Sequence, residues 1–96
     1  PPACVQLAPG SDLLTRLNAG DETPDGPDWV SVWTTDDDVV VPVDSARLGG
    51  GALNETVQSL CPTDRVRHAG LPTDPVVRRM VLAALGPSPT APAPGC

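Results

Sequence analysis

Trp29-Val-Ser-Val-Trp33, followed by Thr34-Thr-Asp-Asp-Asp38 and Val39-Val-Val-Pro42, is the stretch on which the fold turns. Its first five residues alternate large and small side chains and include β-branched positions, the pattern of a strand with two unlike faces. Thr34 to Asp38 then reads as a polar turn. Pro42 ends the valine run, because it has no N–H to give to a ladder.

Working outward, Ser11 to Ala19 is predicted to be a short helix, with Ser11 as its cap, Asp12 at the positive dipole end and Gly20 as its stop. Asp21 to Asp28 is a loop of Pro, Gly and acid. On the other side, Asp44 to Leu48 is predicted to make one helical turn before the Gly49-Gly-Gly51 break. A second strand is expected from Glu55 to Leu60, anchored by Val57 and Leu60 and closed by Cys61-Pro62, with a further extended piece at Val66 to His68. The last helix is the clearest. Thr73 or Asp74 caps it, Pro75 sits in its first turn and Gly86 lies just past its end. Val77, Met80, Val81, Ala84 and Leu85 should form its buried face, with Arg78 and Arg79 turned outward.

Strands alternating with helical patterns imply an α/β architecture with parallel strands. Two strands cannot complete such a sheet, because parallel sheets need both faces covered and neighbours on their edges. The composition agrees. Among 96 residues there is no Phe or Tyr, and 13 are Pro, so the core must be built from Val, Leu, Ala and two Trp. A chain this short buries only a modest share of its surface. Residues 1–86 are therefore expected to be part of a larger core whose remaining strands lie N-terminal to Pro1, and the Pro/Ala-rich 87–96 tail is expected to be disordered.

The net charge of −6, with six Arg and no Lys, disfavours nucleic acid and anionic lipid surfaces. No stretch approaches the length of a membrane span. Cys4, Cys61 and Cys96 have no CxxC spacing, and a single His leaves too few ligands for a zinc site. One disulfide with an odd cysteine suits an oxidising compartment; three buried thiols in a reducing one is the alternative. Asp36-Asp-Asp38 lacks the alternating spacing of a calcium loop. No cofactor or metal is expected. Asn54-Glu-Thr56 matches a glycosylation acceptor, which matters only in a host that glycosylates it.

Two features carry possible chemistry: the acid turn and the lone histidine of His68-Ala-Gly70. In a parallel α/β sheet the loops at the carboxyl ends of strands converge on the ligand site. There an Asp can fix the tautomer of an imidazole and stabilise the imidazolium formed during acyl transfer. Acid before histidine is the order of the last two members of an α/β-hydrolase triad. Taken singly, each has a plainer reading: an acidic turn is usually a solvated loop, and a lone His is usually structural or exposed.

Trp33-Thr-Thr-Asp-Asp-Asp-Val-Val-Val-Pro42 resembles the acid turn of the class 2 secreted lipases, which include bacterial triacylglycerol lipases and the fungal lipase B type. Asp44-Ser-Ala-Arg-Leu48 and Ala3-Cys-Val-Gln-Leu-Ala-Pro-Gly-Ser-Asp-Leu-Leu14 are similar to the actinobacterial members, and His68-Ala-Gly70 resembles the histidine loop of both branches. Each match is weak alone; in order, they run almost continuously from Ala3 to Leu85. The resemblance implies the C-terminal portion of an α/β-hydrolase fold: last parallel strands, acid and histidine loops, C-terminal helix. It implies Asp37 as the triad acid, because the family places its acid five before the Pro, whereas a generic D-x-V-V-P turn would select Asp38. It implies His68 as the base, and Val39, Val40, Ala69 and Leu71 as flanking residues that line an acyl or alcohol pocket or belong to the core.

The family most often pairs the equivalents of Cys4 and Cys61, and its fungal branch ties the latter position to the C-terminal tail, here Cys96. No G-x-S-x-G occurs, so the nucleophile and oxyanion hole are expected upstream in the same polypeptide. The function so implied is hydrolysis of lipid-like carboxylic esters by a secreted, monomeric protein. A small secreted, disulfide-tied binding module without chemistry is the competing class, and an acyltransferase or polyester hydrolase on the same fold is the third.

Overall fold

The computed structural model describes residues 2–96. A helical hairpin comes first, α1 (Pro2–Gln6) and α2 (Asp12–Leu17). Ser11 caps α2, its hydroxyl accepting from Leu14 N–H at 3.2 Å, as the sequence predicts. After the Pro/Gly loop, β1 (Val30–Trp33) pairs in parallel with β2 (Leu53–Thr56), in the register Val30 to Leu53 and Trp33 to Thr56. A 3-10 turn at Val43–Ala46 lies between them. The Gly-rich break closes against the preceding loop: at Gly50, where φ is +65°, a Cβ would collide with the buried Thr23 hydroxyl, so only glycine fits.

β2 ends earlier than expected. Thr56 is the last residue of the ladder, and its hydroxyl accepts from the N–H of Ser59 at 3.1 Å, capping a single turn, α3 (Val57–Leu60). A side-chain oxygen that satisfies a free N–H favours the helical turn over continued extension. Val57 and Leu60 are still the apolar anchors, but on a helix. Val66 is not in a strand; the chain there is irregular and then enters a 3-10 segment, His68–Thr73.

The core is small: Val57, Leu60, Cys61, Val76 and Met80, with Val32, Val66, Leu71 and Val77 packed around it. Helix α4 (Pro75–Ala84) meets it along Val76 and Met80, only in part the face expected from periodicity. Val81 and Leu85 are 44% and 78% exposed. The reason is what the helix packs on. The His68–Thr73 segment, α3 and β1 meet it, and they leave Val81 and Leu85 exposed.

The cysteines correct one expectation and Arg79 another. Cys61 bonds Cys96, and Cys4 is free and exposed on α1, so a Cys4–Cys61 bridge is absent from this fold. The cause is the path of residues 87–96, which carry no regular structure yet run back along α4. Arg79 does not face out; its guanidinium donates to the carbonyls of Ala93 and Gly95 at 3.1 and 3.0 Å. Gly95 N–H donates to Leu60 O at 2.8 Å. These contacts bring the Cα of Cys96 to 4.8 Å from that of Cys61, within bridging range.

Candidate active site

The acid turn is built by its own backbone. Asp37 N–H donates to Thr34 O at 3.3 Å, closing the turn at the end of β1. One carboxylate oxygen, Oδ1, then accepts from Val39 N–H at 2.9 Å and Val40 N–H at 2.8 Å. Such side-chain-to-backbone bonds are what Asp does well in turns. They fix the carboxylate and leave Oδ2 directed at the ring of His68, 3.0 Å from Nδ1. An ionised carboxylate can only accept, so Nδ1 carries the proton of this bond and Nε2 is the free basic nitrogen of the neutral ring.

Burial differs across the pair. The Asp37 side chain is 4% exposed, that of His68 43%. Burial pushes the Asp37 carboxyl up, but the N–H groups of Val40 and Val39 and the His68 ring together outweigh it and hold it below the ordinary value of 3.8. The result is a fixed anion behind a ring that solvent reaches.

The three consecutive aspartates each meet the 65–68 segment. Asp36 lies 3.7 Å from Arg65, and Asp38 lies 3.8 Å from Arg67. Asp38 also accepts from His68 N–H at 3.3 Å. Of the two acids, Asp37, the one the family resemblance implies, reaches the imidazole, and Asp38 reaches the His68 N–H and the Arg67 side chain. Both Arg side chains are at least 70% exposed, so these ion pairs contribute about 0–1 kcal/mol each. At Gly70 a Cβ would stand 2.9 Å from Val66 Cγ2, so the His68 turn needs a residue without one to fold over Val66.

The four flanking apolar residues are not gathered into one cleft. Leu71 packs on the core and lines a hollow of about 380 Å³ with Val77, Val81 and Leu82 of α4, while Val39, Val40 and Ala69 lie outside it. Val39 and Val41 are 67% and 74% exposed beside the acid turn. A larger hollow, about 570 Å³, lies away from the Asp37–His68 pair, between α1 and α2. Among the described residues, no group of three His, Cys, Asp or Glu side chains could hold a metal ion, and no helix is long and apolar enough to cross a membrane.

Sequence reasoning missed two residues of this site. Thr34 is fully buried and Gln58, on α3, bonds to it, and both touch the loops on either side of the pair. Thr34 stood in the sequence only as the first residue of a polar turn, and Gln58 belongs to no motif at all. Neither the protein-family models nor the curated proteins compared with the chain give a match.

Proposed function

We propose that this chain supplies the acid and base of a serine carboxylic-ester hydrolase of the class 2 lipase type, acting on lipid-like esters outside the cell. One observation carries the reading: a buried carboxylate, held by two backbone N–H groups, bonded at 3.0 Å to a half-exposed imidazole. A plain surface ion pair has no need of such an arrangement. The resemblance of the acid and histidine loops to that family supports it, and the Cys61–Cys96 disulfide suits an exported protein.

In this reading a serine from an upstream segment of the same polypeptide attacks the ester carbonyl. His68 Nε2 takes the serine proton and later gives it to the leaving alcohol. Asp37 keeps Nδ1 protonated and stabilises the imidazolium between those steps. The oxyanion hole, which stabilises the developing negative charge, is supplied by the same upstream segment. The 96 residues alone therefore hydrolyse nothing.

The test is ester turnover by the full-length polypeptide. His68→Ala and Asp37→Asn are each expected to lower kcat by about 10⁴-fold, since Asn cannot hold the imidazole in its working tautomer. Asp38→Asn should be mild. Full activity in Asp37→Asn, or damage confined to Asp38→Asn, would sink the assignment.

A further inference from the structure

Gln58 joins the loop that carries Asp37 to the loop that carries His68. Its Oε1 accepts from Thr35 N–H at 2.9 Å, on the acid side. Its Nε2 donates to Thr34 Oγ1 at 2.9 Å and to Asp64 O at 3.1 Å, the latter on the histidine side. Thr34 makes the same connection a second time. Its hydroxyl donates to Val66 O at 2.7 Å and accepts from Asp36 N–H at 3.2 Å.

The bonding is close to saturated. A hydroxyl has one proton and two lone pairs, and Thr34 uses all three, on Val66, Asp36 and Gln58. Both Nε2 protons of Gln58 are engaged as well. Thr34 is 0% exposed, and Gln58 is carried by α3, whose Val57 and Leu60 are in the core. Losing a bond to the buried Thr34 hydroxyl strands a polar group away from water, which favours a single geometry. The exposed pairs Asp36–Arg65 and Asp38–Arg67 join the same two loops, but they are solvent-screened and tolerate many geometries. The knot around the buried Thr34 is better shielded from solvent than these pairs.

We infer that Thr34 and Gln58 are positioning residues, which hold the Asp37 carboxylate against His68 Nδ1 by locking the two loops to α3. The inference rests on the acid–base role proposed above. It is tested in the full-length polypeptide with two readouts: the far-downfield proton resonance of the Asp37-bonded imidazole, assigned by its loss in His68→Ala, and kcat and KM on a soluble chromogenic ester. Thr34→Val keeps the shape and removes the hydroxyl, and Thr34→Ser restores it. Gln58→Met keeps the length and removes the amide, while Gln58→Glu keeps only the acceptor.

Thr34→Val, Gln58→Met and Gln58→Glu are expected to shift or abolish the resonance and to lower kcat by up to about 100-fold with little change in KM, because a small misplacement of a reacting group is costly. Thr34→Ser should retain both. If one Gln58 variant fails to fold, the other and the Thr34 pair decide. An unchanged resonance in Thr34→Val and Gln58→Met overturns the inference, as does a Thr34→Ser as impaired as Thr34→Val, which would point to packing instead of the hydroxyl. A wild-type spectrum without the resonance overturns it too. A wild type that shows the resonance but no ester turnover defeats the hydrolase reading instead, and the positioning role is then judged on the resonance alone.

Discussion

Asp37 and Glu55 are both shielded from water, and their surroundings treat them in opposite ways. Burial acts on each to raise its pKa. At Asp37 the Val40 and Val39 N–H groups and the His68 ring reverse it, and at Glu55, 8% exposed, burial goes unopposed. The signs follow. A folded pKa below the ordinary 3.8 means that Asp37 contributes stability in full above that value and loses it as pH falls through the lower folded one. A folded pKa above the ordinary 4.5 means that the Glu55 contribution is full below 4.5 and lost as pH rises through the raised value. Glu55→Gln is therefore expected to raise the thermal midpoint at about pH 7, with the gain shrinking at about pH 4 as the wild-type side chain takes up its proton. Calorimetry at both pH values checks this, and a lowered midpoint at the higher pH would contradict it. Asp37 and His68 stood out at this scale because an acid run and a lone histidine are visible in one dimension. Thr34 and Gln58 did not, because the bonds that join them to each other and Thr34 to Val66 span 24 and 32 residues and no local pattern marks them.

Elements differ in how much of their definition is local. Helix α4 begins where Asp74 Oδ1 accepts from Val76 N–H and Val77 N–H at 2.8 and 3.0 Å, with Pro75 in the position where a missing N–H costs nothing. All of that is written in adjacent residues, and its start was legible. Asp74→Ala should cost about 1 kcal/mol, read from chemical denaturation, with no change arguing against the cap. The buried face of α4 was legible only in part. Periodicity marks Val77, Met80, Val81, Ala84 and Leu85; of these Met80 is in the core and Val77 packs against it, whereas tertiary contact buries Val76 and leaves Val81 and Leu85 exposed. Likewise Val57 to Leu60 has apolar residues that suit a strand, and the side chain of Thr56 decides for a helical turn.

The molecule as a whole is a slab of 41 × 31 × 19 Å with a radius of gyration of 14.9 Å. A compact chain of this length would have about 12.5 Å. A two-stranded parallel sheet and exposed Val39, Val41, Leu82 and Leu85 leave much apolar surface uncovered. The 96-residue chain alone is accordingly expected to melt broadly, and a sharp reversible calorimetric transition would show that its core suffices. The Cys61–Cys96 bridge closes 35 residues of sequence around the histidine loop and α4, which should stabilise the fold by roughly 3–4 kcal/mol. Cys96→Ser should lose stability on that scale in denaturant melts, while Cys4→Ser should lose almost none; the reverse order would restore the Cys4–Cys61 pairing. The sequence by itself determined the local features: the β1 strand, the caps of α2 and α4, and the acid run and histidine as the chemical candidates. Each depends on residues within a turn or two of one another. Tertiary structure alone decided that Asp37 and His68 meet, that the buried side of α4 takes in Val76 and leaves out Val81 and Leu85, and that the tail returns to bind Cys61. Those outcomes rest on contacts between segments distant in the chain, where burial and hydrogen-bond saturation choose among geometries that local preference leaves equivalent.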